Sequence, residues 1–309
     1  MGQVSKKVYL TLIKLTKMLI FLYLFLIGTA AGMIGAVIGI GGGIIIVPFL
    51  TLALKVPIHI AIGTSIISVL VTSLAATRLF LKKNVTNITL GLTLEIPTTA
   101  GGIIGSITVA YLKNKILFII FACFAIAAGI FTYFKNIYLQ NRNPGINSSI
   151  VKENGVPDKS KIYKDSIFNS EYYDESTGKV YKYKVKNVIY GSIASLLAGL
   201  SSGLLGVGGG VIKVPTMNIL MDVPVKVATA TSNYMIGITA VVSAVIYFYN
   251  GYINPYITVP VVIGVLIGAT AGSFVAVKLK IRHIVAVILI IFIIIGVLMF
   301  LKAFDIINF

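Results

Sequence analysis

Long apolar runs decide what this chain can become. Eight of them, at about 19–40, 60–81, 88–112, 115–134, 188–207, 227–249, 256–277 and 283–303, come close to or exceed the ~20 residues a helix needs to cross a bilayer. A soluble fold could not bury so much apolar surface. Only 11% of the 309 residues are charged, against about 25% in soluble domains, so it could not cover that surface either. Lipid must be the solvent for most of the chain, which reads as a multi-pass protein of the cell (plasma) membrane. Two further runs, 44–54 and 211–221, are apolar but only about 11 residues long. At ~1.5 Å per residue each spans about half a bilayer and reads as a half-helix.

The net charge of +17 sits largely at the ends of these runs. Lys6, Lys7, Lys14 and Lys17 precede the first; Arg78, Lys82 and Lys83 close the second; Lys113, Lys115, Lys278, Lys280 and Arg282 also flank runs. Cations in such places meet lipid headgroups. No groove-reading motif accompanies them, so nucleic acid is not an expected partner. The positive-inside rule is satisfied by either orientation. The basic N-terminal segment and the basic middle of the chain, taken alone, favour one common side and a parallel repeat. Five crossings per half would instead make the repeat inverted.

Residues 135–187 differ from the rest, with ten Lys/Arg, six Asp/Glu and no long apolar run. They belong in water. Asn141–Lys164 is rich in Asn, Ser, Pro and Lys and reads as loop. Ile167–Tyr173 and Lys179–Lys186 alternate Tyr or Val with polar residues about Glu175-Ser176-Thr177-Gly178, which predicts a β-hairpin. An isolated hairpin is marginal, so this one should rest on the membrane part or on a partner chain. A disordered loop is the competing reading.

The chain repeats itself. Ala31-Gly32 returns as Ala198-Gly199, a shift of 167 positions. At that same shift Gly39-Ile40-Gly41-Gly42-Gly43 meets Gly206-Val207-Gly208-Gly209-Gly210, and Val47-Pro48 meets Val214-Pro215. Pro57 meets Pro224, Thr64-Ser65 meets Thr231-Ser232, and Gly101, Gly105 and Ser106 meet Gly268, Gly272 and Ser273. The expected architecture is an all-α polytopic membrane protein. It has two homologous repeats, residues 1–134 and 188–309, each of about four full spans plus one half-helix, around a soluble insert at 135–187. The start of the chain resembles a signal peptide, but its small residues Ala31-Gly32 recur in mid-chain, so cleavage is not expected.

The glycines carry the chemistry. Three in a row end a long helix, and non-helical backbone is tolerated within a bilayer only where protein buries it or a cavity meets it. A half-helix follows each triplet, with free N–H groups and the positive end of its dipole at the glycines. Without Cβ atoms, an anion can approach that backbone. Paired elements of this kind in two halves point to a midplane binding site. The candidate ligands are Gly41, Gly42, Gly43, Gly208, Gly209 and Gly210, joined by the hydroxyls of Thr64, Ser65, Thr231 and Ser232 and by Asn233. Gly101, Gly105, Gly268 and Gly272 have the small-xxx-small spacing of helix packing. Two charges interrupt apolar sequence: Lys213, whose repeat mate is Ile46, and Glu95, whose mate is Val262. Intramembrane charges are costly and mark function. Lys213 suits a substrate anion; Glu95 is its counter-ion or a proton-coupling group. Snorkelling to an interface is the plainer reading of both.

These residues resemble the sulfite exporter TauE/SafE family of membrane permeases. The likeness rests on both Gly-rich copies with their Val-Pro pairs, on the Pro57 and Pro224 turns, and on the Thr-Ser pairs after them. It covers about 20–134 and 188–303. It implies export of sulfite, thiosulfate, sulfoacetate or other small inorganic or organosulfur anions. The chain departs from the pattern in its longer insert and in Lys213, where an apolar residue is expected.

Catalysis is not expected. His59 and His283 lie near run ends and the spans hold no paired acids or His clusters. Lone Cys123, within an apolar run, reads as a small buried residue; no metal or cofactor is implied. Neither triplet is followed by Gly-Lys-Ser/Thr, so there is no P-loop for ATP. Transport should be gradient-driven or rely on another subunit. A homodimer is compatible with such a chain. The competing function is an anion channel or a membrane sensor that signals through its insert.

Overall fold

The computed structural model describes residues 2–39, 41–141, 150–151, 167–174, 178–278, 282–304 and 306. Five helices precede the insert: α1 (Gly2–Ile38), α2 (Gly43–Pro48), α3 (Ile58–Lys82), α4 (Ile88–Val109) and α5 (Asn114–Asn141). Five follow it: α6 (Val188–Leu205), α7 (Gly210–Pro215), α8 (Val225–Tyr249), α9 (Pro255–Lys278) and α10 (Arg282–Ala303). Six of these, α1, α3, α4, α6, α8 and α9, are long and apolar enough to cross a membrane. Gly43–Ala53, Asn114–Ile130 and Leu289–Ala303 are shorter apolar helices. Side chains such as Ile96 (76% exposed) and Phe248 (74%) point outward, as lipid contact requires.

Glycine geometry breaks the chain where its sequence does. Gly39, Gly41 and Gly42 adopt φ of 80°, 88° and 79°; Gly206, Gly208 and Gly209 adopt 67°, 83° and 68°. A side chain at any of them would strain the left-handed backbone. These turns end α1 and α6 and start α2 and α7. Each six-residue helix then meets a proline, Pro48 or Pro215, and loosens into a π-helical turn, Phe49–Ala53 or Thr216–Leu220. Proline's missing N–H removes the donor that would keep the tighter winding. The starts of α2 and α7, of α3 and α8, and of α4 and α9 are each 167 residues apart.

Helix directions follow from glycine contacts. Gly28 and Gly32 of α1 pack on Val261 and Val265 of α9, and Gly268 and Gly272 of α9 on Thr29 and Met33. Residue numbers rise together, so α1 and α9 run parallel. Gly101 and Gly105 of α4 likewise pack on Leu196 and Leu200 of α6. At each of these six interfacial glycines an added Cβ would strike a facing backbone carbonyl, so only glycine permits the approach. By contrast α3 and α8 run antiparallel: Gly63 meets Tyr247, while Ser73 bonds the Asn233 carbonyl. Sequence-equivalent helices therefore point in opposite directions, about an approximate two-fold axis perpendicular to α3 and α8. The N-terminal segment then lies at the opposite end of the bundle from the insert. The charge count alone had favoured a common side.

The insert contains strands β1 (Ile150–Val151), β2 (Ser170–Asp174) and β3 (Lys179–Tyr183), in the sheet order β1-β3-β2. β2 and β3 form an antiparallel hairpin with Tyr172 opposite Tyr181, where the alternation predicts one. Residues 175–177 of its turn, and most of the loop at 141–164, lie outside the described residues. β1 has no counterpart in the sequence reading. The hairpin rests on the helical part: Tyr172 and Tyr183 share one apolar cluster with Leu90, Leu94, Val214 and Met217. Lys186 pairs with Asp222 at 3.0 Å, and its N–H donates to the Met221 carbonyl. Cys123 is exposed on α5 rather than buried, because Ala122 and Ala125 on either side of it take the inward positions.

Candidate functional site

The two broken segments meet at the centre of the bundle. Gly43 of the first lies against the Gly206 carbonyl of the second, too close for any side chain. Ser65 donates to that carbonyl at 2.7 Å, and its repeat mate Ser232 donates to the Gly39 carbonyl at 3.3 Å. Each half thus holds the other half's glycine turn. Thr64 shares a hydrogen bond with Thr258 at 3.0 Å, and Thr231 accepts from the Asn87 N–H at 3.0 Å. These four hydroxyls are engaged with the protein itself, a role that sequence spacing does not reveal. Asn233 is fully buried; its amide donates to the Thr229 carbonyl and its Oδ1 has no partner.

The two intramembrane charges are brought together. Lys213 lies on α7, three residues past the second triplet, and its ammonium is 3.5 Å from the Glu95 carboxylate of α4. Both are buried, at 1% and 4% exposure. Snorkelling is excluded for side chains so enclosed. The other carboxylate oxygen of Glu95 accepts from Thr239 of α8 and, at 3.1 Å, from Thr99. Thr239 and Thr99 were not anticipated, because a span threonine ordinarily bonds back to its own helix. Beyond the carboxylate, the Lys213 ammonium has no hydrogen-bond partner. A buried pair contributes little net stability, and removing one member strands the other at a cost of ~3–5 kcal/mol. At the equivalent place in the first half, Ile46 is fully buried. The site is therefore one-sided: a charged pair in the second half, an apolar core in the first.

One flank of the pair is covered by the hairpin. Leu94 and Val214, the neighbours of Glu95 and Lys213, are packed under Tyr172 and Tyr183 of the hairpin. Asn87 fastens this cover: it caps α4 by accepting from the Leu90 N–H and donates to the Phe168 carbonyl and the Tyr183 hydroxyl. Burial pushes the Tyr183 phenol above the usual tyrosine range, against the hydrogen bonds with Asn87 and Ser170. Among the described residues no group of His, Cys, Asp and Glu could hold a metal ion.

Comparison with known proteins agrees with this architecture. Residues 24–299 match the family model described as sulfite exporter TauE/SafE. The chain is 28% identical to the probable membrane transporter protein YunE of Bacillus subtilis, over 75% of this chain and 80% of the relative. It is 26% identical to a probable membrane transporter protein of Haemophilus influenzae, over 69% of this chain and 66% of the relative. No solved structure matches. A multi-pass membrane chain of transporter type, and not an enzyme, is what the helices and the relatives jointly describe: the protein belongs to the sulfite exporter TauE/SafE family.

Proposed function

We propose that the protein is a secondary transporter that exports small anions such as sulfite or organosulfonates. It works by alternating access around the two Gly-rich breaks, within two homologous, inverted repeats in which α5 and α10 also cross the membrane. The observation that carries this reading is the buried Lys213–Glu95 pair beside the second glycine turn. An oxyanion needs a desolvated cation and N–H donors, and Lys213 with the backbone of Gly208–Gly210 offers both. Gly41–Gly43 face them across the Gly43–Gly206 contact.

The pair also supplies a coupling logic. With Glu95 ionised, Lys213 is neutralised and an anion has little to gain by entering. A proton taken up by Glu95 leaves the ammonium free to hold the anion. Binding of anion and proton then favour each other, as linkage requires. Ser65 and Ser232 act by holding the glycine turns that shape the site, and Thr64, Thr231 and Asn233 by fixing the helices behind them.

Uptake into proteoliposomes of sulfite, sulfate, thiosulfate and organosulfonates, with and without a pH gradient, tests this reading. Lys213→Ala should reduce transport of the best substrate at least tenfold. Glu95→Gln should transport without responding to the gradient. Wild-type rates in Lys213→Ala would refute the role of the lysine.

A further inference from the structure

Below the charged pair, on the side away from the hairpin, the α4–α8 interface stays polar. The two helices run parallel, Gly91 meeting Tyr234 and Gly102 meeting Thr239. Glu95, Gly102 and Ser106 share one face of α4, and Thr239, Ser243 and Tyr247 one face of α8. Ser243 Oγ lies 3.6 Å from where a Gly102 side chain would start, and Ser106 Oγ 2.9 Å from the same position on Gly203 of α6. Tyr247, fully buried, donates to the Gly203 carbonyl at 2.8 Å.

Ser106 and Ser243 are each 1% exposed, and neither hydroxyl has a partner. Several span hydroxyls behave otherwise, although that of Thr77 in α3 is also unpartnered. Those of Ser68, Thr98, Ser192 and Thr216 bond back to a carbonyl one turn earlier in their own helix. A buried hydroxyl left unpaired is stabilised by ordered water. Glu95 Oε2 likewise has no hydrogen bond beyond its ion pair. One turn further along both helices, Ile107, Ala110, Val245, Ile246 and Tyr249 line an open groove of about 380 Å³.

We propose that Ser106, Ser243 and Tyr247 line a file of buried water that joins Glu95 to the membrane face opposite the hairpin and delivers its protons. The proposal rests on Glu95 being the coupling group. A hydronium at the far end passes a proton along the file to Glu95 Oε2 and becomes water; the carboxylate becomes the neutral acid. Lys213 of α7 is the charged group against Glu95, α8 adds Thr239, and the one titratable residue of α6, Tyr190, is exposed at its outer end.

The test places single cysteines at Ser106, Ser243 and, as a control, Ser68, in a Cys123→Ala background of the full chain in proteoliposomes. Ser68 is equally buried but bonded to its own helix. Silver ion, small enough to follow a water file, should consume the thiols of Ser106→Cys and Ser243→Cys at least tenfold faster than that of Ser68→Cys. Equal rates would overturn the proposal. Independently of any variant, a density map of the unmodified chain in a nanodisc should show water on both hydroxyls; dry packing there would overturn it too. Neither readout uses sulfite. A wet file together with an intact pH response in Glu95→Gln would instead defeat the coupling role of Glu95, so the two failures are distinguishable.

Discussion

At the scale of single residues, the site depends on atoms that are missing. Gly43 has no room for a methyl group, since a Cβ there would strike the Gly206 carbonyl and Ser65 Oγ. Gly43→Ala should push the two broken segments apart and cost ~1–3 kcal/mol, the usual price of overpacking. A thermal-unfolding series in detergent measures this. Gly178→Ala is the comparison: open space surrounds that hairpin glycine, and only its φ of 66° resists substitution, so its melting point should fall less. A loss at Gly178 equal to that at Gly43 would show that backbone strain, not the central contact, sets the requirement. The glycines were legible in the sequence because spacing survives duplication. Lys213 and Glu95 were legible because a charge stands out in an apolar run. The tasks of Ser65 and Ser232 were not. Each serves a carbonyl more than a hundred residues away, and nothing in local sequence distinguishes that from a hydroxyl waiting for a ligand.

At the scale of elements, the hairpin shows what periodicity conveys and what it omits. Alternating Tyr and Val located its strands, because side chains of a strand point to opposite faces in turn. Its seat was hidden, since contact with α4, α7 and α8 depends on how the helices assemble. Tyr183 anchors it, with a phenol raised by burial. The sign of the resulting pH effect is fixed. The folded-state pKa lies above the unfolded one, so the contribution to docking is complete below about pH 10 and is lost as pH rises further, toward the folded value. Proteolysis of the insert should accelerate as pH rises above about 10. Tyr183→Phe, which cannot ionise, should flatten that rise while losing the hydrogen bond from Asn87. An equally steep rise in Tyr183→Phe would assign the effect to another group.

At the scale of the whole molecule, inversion explains why charge could not orient the chain. Arg78, Lys82 and Lys83 close α3 at the hairpin end, while Lys113 and Lys115 sit at the start of α5, at the opposite end. Two inverted halves carry basic loops to both faces, and a count of positive residues then cancels. Contact direction decides instead. Because α3 and α8 are antiparallel, the loop after α3 and the loop after α8 must lie on opposite faces. Asn84 and Asn250, each just past its helix, mark those two loops. Asn84→Cys and Asn250→Cys, each in a Cys123→Ala background, should therefore differ when intact cells meet a membrane-impermeant maleimide: one labels at once, the other only after permeabilisation. Lys184→Cys, in the insert, should follow Asn84→Cys. A parallel repeat requires Asn84 and Asn250 to label together, and that result would remove the two-fold axis on which the alternating-access reading depends. If they label apart, the proposed exchange of conformations between the two halves would turn the candidate site from one face to the other. The hairpin, present once and seated over the Lys213–Glu95 half, would then make the two proposed facing states unequal in energy.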